Sequence, residues 1–249
     1  MRQLLLLTII CPLYLIAQED LKLYNQGVEA HNAKDYETAI MYYNKCLKIN
    51  PQNKSAIKNL GVVYYNTSLD YYDKKSYDKA IDYLEKALQY DAKDPKIYYM
   101  TGCCHQEQKL YKAAITNFTK AIELTEKPAS YYSARSWVYN DLNDHKSSLN
   151  DIKKAVEHEP DNAKYQFHCG KFKQEVSPEE FKTAIKNYSK AILLKPDYKE
   201  AYTERAAYYM TFQQFSKALP DLKKAKELGA DVDHLIEAVH FEMEMEKQN

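Results

Sequence analysis

The chain has 249 residues with 35 basic and 35 acidic side chains. A net charge near zero argues against nucleic acid as a partner, because phosphate binding needs clustered excess positive charge. Only 5 Gly and 8 Pro, among many Lys, Glu, Ala and Leu, suit a mostly helical protein.

The first 17 residues form a separate element. Met1-Arg2-Gln3 carries one positive charge, residues 4–16 are nearly all apolar, and Ala17 follows, which is the order of a secretory signal. The apolar stretch of about 13 residues is short of the roughly 20 needed to cross a bilayer as a helix. A signal peptide over 1–17, cut after Ala17, is therefore expected; an uncleaved membrane anchor is the alternative. Export places the chain in a periplasm or outside the cell, with a eukaryotic lumen as the alternative setting. Removing 1–17 takes Arg2 and no acid, leaving 34 basic against 35 acidic residues. Of the cysteines that remain, Cys46 and Cys169 fall on buried, small positions and Cys103 and Cys104 are adjacent. They read as packing residues rather than a disulfide framework.

From residue 20 onward a short pattern recurs six times. A small residue and Ile or Leu are followed by a large apolar or aromatic residue at plus four and a small one at plus seven. The pattern begins at Ala39, Ala80, Ala114, Ser148, Ala184 and Ala218, so the steps are 41, 34, 34, 36 and 34 residues. A period near 34 is that of a helical hairpin which must stack on its neighbours to bury a face. Upstream of each instance lies a second small position, taken as Gly27, Gly61, Gly102, Ser136, Gly170 and Ala206. Gly inside a helix costs about 1 kcal/mol relative to Ala, so its recurrence implies close approach of a neighbouring helix. Pro51, Pro160 and Pro196 stop second helices, and Asp35, Asp144 and Gln213 mark the turns inside hairpins.

These residues resemble the tetratricopeptide repeat, whose pattern is Trp-x-x-Leu-Gly-x-x-Tyr…Ala-x-x-x-Phe…Pro. The small, aromatic and Pro positions match, whereas the first Trp is missing throughout. The resemblance implies an all-α fold, a right-handed superhelical solenoid of antiparallel helix pairs with a C-terminal capping helix. Six units are expected within 18–232, at 20–53, 54–94, 95–128, 129–162, 163–198 and 199–232, followed by a cap over 233–247. The second unit carries seven extra residues, placed within 66–76, which at about two helical turns lengthen both helices and keep their buried faces. The fifth carries two extra residues before Ser177-Pro178, where Ser caps a helix and Pro opens it.

No Gly-rich phosphate loop, His-Glu-x-x-His or Cys-x-x-Cys is present. Cys103-Cys104-His105 and His168-Cys169 are adjacent residues about 100° apart on a helix, so they do not converge on a metal. No enzyme activity, cofactor, metal or small-molecule substrate is expected. Four Asn-x-Ser/Thr sequons, at Asn53, Asn66, Asn117 and Asn187, are read as chance unless the source is eukaryotic. The resemblance implies a protein or peptide partner on a concave groove lined by the first helices. Candidate groove residues are Tyr24, Lys58, Asn59, Tyr65, Tyr99, Trp137, Phe167 and His168, since rigid rings bury area at low entropic cost. The chain then acts as an interaction scaffold or adaptor. The alternatives are an envelope-complex subunit binding through its convex face or cap helix, which is also the expected route to a membrane besides an uncleaved signal, and an accessory enzyme subunit.

Overall fold

A computed structural model of the protein describes residues 2–248, and their side chains from residue 17. Every regular element among the described residues is an α-helix. The side chains of the expected signal up to residue 16 lie outside the described residues. The helices gather into two compact units, residues 1–125 and 126–249.

The first unit holds three consecutive helix pairs: α1 (Arg2–Asn32) with α2 (Tyr36–Ile49), α3 (Lys54–Asp73) with α4 (Tyr77–Leu88), and α5 (Pro95–Glu107) with α6 (Tyr111–Glu123). Each second helix also packs on the next first helix, α2 on α3 and α4 on α5. The recurring small and large residues are what these contacts use. Ala39, Tyr43 and Cys46 of α2 are fully buried with Ala56, Leu60 and Val63 of α3. Ala80, Leu84 and Ala87 of α4 are fully buried, and they cluster with Ile97 and Cys104 of α5.

The second unit pairs α7 (Ala129–Asp141) with α8 (His145–His158), α9 (Ala163–Val176) with α10 (Pro178–Leu194), and α11 (Lys199–Thr211) with α12 (Phe215–Glu227). A last helix, α13 (Asp233–Gln248), lays Leu235, Ile236, Val239 and Met243 over Ala218, Leu222 and Ala225. Ser177 accepts the Glu180 N–H at 3.2 Å and Pro178 opens α10, as the sequence implies.

Five hairpin turns share one geometry. Lys34, Lys75, Lys109, Asn143 and Gln213 stand at φ between 52° and 60°. In each turn that residue's N–H bonds three residues back and the next N–H bonds five back, as in Lys34 to His31 and Asp35 to Ala30. This closes the helix end. Asp35 and Asp144 then cap the following helices by accepting the Thr38 and Ser147 N–H groups, each at 3.1 Å.

The seven extra residues are placed differently from the expectation. They lengthen α3 alone: α3 has 20 residues where α5 has 13, while α4 has 12 and α6 has 13. The small position that serves α4 is accordingly Ser68, and Gly61 lies two turns before it. A Cβ on Gly27 would meet the Tyr43 ring at 2.6 Å, one on Gly102 the Phe118 ring at 2.6 Å and one on Gly170 the Tyr188 ring at 2.7 Å. At Gly61 the nearest atom is instead Tyr90 Cβ, at 2.8 Å, in the connection beyond α4. Ser68 stands 16 residues before Leu84, as Gly102 does before Phe118 and Ser136 before Ile152. Ser68 and Ser136 are both buried, and their hydroxyls donate to carbonyls three residues back at 2.6 and 2.7 Å.

Candidate peptide-binding face

Because the extension projects from the start of α3, its first two turns run past the end of α4. They face the α4–α5 connection across a cleft of about 480 Å³. Helix α3 supplies Ile57, Lys58, Val62 and Tyr65 to one side, and Tyr90, Asp94 and Ile97 come from the other. Asp94 accepts the Lys96 N–H at 2.9 Å and so caps α5, with Pro95 at the first helical position. Lys58 and Tyr65, two of the candidate groove residues, therefore share one cleft.

Tyr24 and Asn59 are brought together beside it. The Asn59 amide donates to the Tyr24 hydroxyl at 3.2 Å and to the Tyr43 hydroxyl at 3.3 Å. The Asn66 amide lies 3.1 Å from His31 Nε2, tying α3 to α1 a second time. Tyr99 leans back on its own hairpin, its ring 5.7 Å from that of Phe118.

In the second unit, Trp137 of α7 stands edge-on to His168 and to Phe172 of α9, each at 5.0 Å. Phe167 is only 8% exposed and packs between Tyr188 at 6.1 Å and Tyr198 at 4.9 Å, so its ring is core. Burial, with Lys171 and Lys164 nearby, pushes the His168 imidazole down to about 4. Buried Asn140 Oδ1 and His168 Nδ1 find no hydrogen-bond partner among the described residues. At neutral pH the Asn140 Oδ1 is an acceptor, and the His168 Nδ1 accepts or donates according to the ring's tautomer.

Chemistry elsewhere is quiet. All four cysteines described are free thiols, of which Cys46, Cys104 and Cys169 are buried. Burial pushes Cys103 up to about 11 and Cys46 and Cys104 up to about 12, which keeps these thiols protonated and poor as nucleophiles or ligands. Among the described residues no three His, Cys, Asp or Glu side chains gather to hold a metal. The sequon amides are engaged in the fold: Asn53 donates to Asp20, Asn117 to the Ala113 carbonyl and Asn187 to Gln166, while Asn66 bonds to His31. Among the described residues no helix is long and apolar enough to cross a membrane.

Sequence reasoning passed over two polar constructions. Arg135 and Arg205 each hold a carboxylate 16 residues on with two donors, Arg135 to Asp151 at 2.6 and 3.0 Å and Arg205 to Asp221 at 2.7 Å twice. Both carboxylates are buried. The shared spacing, with each Arg one residue before the small position, is the signal that reveals them. Asp20 is the second. Burial raises its pKa, but Cys46 Sγ at 2.7 Å, Asn50 at 2.8 Å and Asn53 at 3.2 Å all donate to it and hold it below the usual carboxylate range. This fastens α1 at Asp20 to the end of α2 and the α2–α3 turn.

Comparison with known proteins agrees with this architecture. Models of the tetratricopeptide repeat match residues 22–53, 61–94, 95–128 and 129–162, together more than half of the chain. The chain belongs to the tetratricopeptide repeat family, a family of protein-interaction scaffolds. The second match starts at 61, leaving the first seven residues of α3 outside it. Among solved structures, MamA from Desulfovibrio magneticus RS-1 is 20% identical, with a TM-score of 0.60 over 70% of this chain and 97% of that one. Another MamA structure is 22% identical, with a TM-score of 0.54 over 73% and 94% of the two chains. YrrB, a TPR protein with an unusual peptide-binding site, is 20% identical, with a TM-score of 0.58 over 82% and 97%. At these identities the likeness is one of fold. No curated protein matches the sequence.

Proposed function

We propose that this protein is an exported scaffold, without catalytic activity of its own, that holds a peptide or helix of a partner against the first helices of its repeats. The observation that carries the reading is the open cleft beside α3, where Lys58 and Tyr65 meet an apolar floor. The unpaired polar atoms Asn140 Oδ1 and His168 Nδ1 add support, because a buried polar group without a partner costs about 1–3 kcal/mol. YrrB's peptide-binding site is a precedent for such use of the fold. Export rests on Arg2, the apolar run to Ile16 and Ala17.

A second reading, assembly through the cap helix, is favoured by Phe241 and Met245, one turn apart on α13 and 61% and 42% exposed. Affinity capture from extracts of the producing cell separates the two. Lys58→Glu with Val62→Arg is expected to lose the partner, and Phe241→Arg with Met245→Arg to retain it. The opposite pattern favours the cap. Sequencing the mature N-terminus should find Gln18; a retained Met1 means an anchor.

A further inference from the structure

We propose that the cleft beside α3 anchors one bulky apolar side chain of an acidic peptide, with carboxylates on both flanks of that side chain. This rests on the peptide-binding reading and gives that peptide a chemistry. The pocket is a consequence of this chain's own seven-residue extension. A pair in normal register, such as α5–α6, has a second helix that reaches alongside the first turns of its partner. Here α4 has slid two turns along α3, and Tyr90 rather than the helix closes the space beside Gly61.

The floor is apolar. Val62 is 41% exposed to the cleft side of α3, and Ile57, Tyr90 and Ile97 complete it. A volume of about 480 Å³ falls within the roughly 300–1,000 Å³ of ligand pockets and takes a Leu or Phe side chain with adjoining backbone. The rim supplies charge from both sides: Lys54 and Lys58 from α3, and Lys96 from the first turn of α5. None of these ammonium groups takes part in the ion pairs found among the described residues. The two acids of the cleft each accept one backbone N–H, Asp91 from Lys93 at 3.0 Å and Asp94 from Lys96 at 2.9 Å, and the three ammonium groups outnumber these two carboxylates. Cations on either side of an apolar floor complement acid–apolar–acid in an extended segment.

The test uses the full chain and fluorescent octapeptides: glutamates around a central Leu, the same with a central Ala, and lysines around the Leu. Fluorescence anisotropy should show the Glu–Leu peptide binding at least tenfold more tightly than the other two. Lys58→Glu with Lys96→Glu should weaken it about tenfold, and Val62→Trp, which fills the cleft from an exposed position, should abolish binding without changing the melting temperature. Equal affinity for Leu and Ala, preference for lysine, undiminished binding by Val62→Trp, or no binding of any probe overturns the proposal. An array of mixed-sequence peptides keeps the two readings apart. Array binding that Asn140→Leu weakens, with the acidic probes silent, removes the subsite and leaves the peptide-binding reading standing. A silent array removes both.

Discussion

Helix pairs α3–α4 and α5–α6 are neighbouring copies of one repeat, and they solve the same packing problem with different pairs of residues. In α5–α6, Gly102 lets the Phe118 ring lie against the helix backbone. In α3–α4 the large partner is Leu84, and Ser68 stands in the glycine's place. The rule holds throughout: Gly27, Gly102 and Gly170 go with Tyr43, Phe118 and Tyr188, whereas Ser68, Ser136 and Ala206 go with Leu84, Ile152 and Leu222. Close packing makes volume at one site dictate volume at the other. Gly61 is thereby released from that duty and borders a cleft.

The largest expected effect extends the comparison to α7–α8, which combines buried Ser136 and Ile152, 16 residues apart, with the Arg135–Asp151 pair. Arg135→Ala strands a carboxylate that is 1% exposed, and chemical denaturation should show a loss of about 3–5 kcal/mol. Gly102→Val comes next. Its branches drive into a ring already 2.6 Å from the position of a Cβ, for a loss of about 1–3 kcal/mol. Gly61→Ala should cost less, because it adds one methyl against Tyr90 Cβ at 2.8 Å and removes the helix-propensity penalty of glycine.

A pH effect stands beside these. His168 is held below its ordinary 6.5, at about 4, so the unfolded chain binds a proton that the folded chain resists. Stability is therefore full above about 6.5 and falls as the pH drops toward 4. His168→Phe should flatten the melting-temperature profile across that window. The smallest effect concerns the hairpin turn. Lys109→Gly at φ 60° should relieve left-handed strain and raise stability by about 0.5–1 kcal/mol, less the entropy that Gly adds to the unfolded chain.

The helical-hairpin architecture was legible because its period rests on small residues that recur at fixed intervals. The location of the extension was not. Seven residues are two turns, so sliding them along α3 leaves the same stripe buried, and Gly61 and Ser68 fit the pattern equally. Gly61 is the more conspicuous of the two because the other repeats display Gly so often. The cleft depends on that register and was invisible without it, although Lys58 and Tyr65, which line it, were among the first-helix residues singled out. Phe167 and Tyr99 show a second limit. A ring on the first-helix face can lean into its own core, as Phe167 does between Tyr188 and Tyr198. The Arg–Asp pairs escaped notice because charged residues in a helical repeat are ordinarily solvated.

The two-turn displacement of α4 along α3 can be tested by Leu84→Phe, measured by urea denaturation alone and together with Ser68→Gly. With Ser68 opposite Leu84, the larger ring should cost about 1–3 kcal/mol, and Ser68→Gly should restore most of it by recreating the Gly–Phe pair of α5–α6. If Gly61 faces this position instead, the glycine is already present. Leu84→Phe would then be tolerated unaided, and the displacement, with the cleft built on it, would be contradicted.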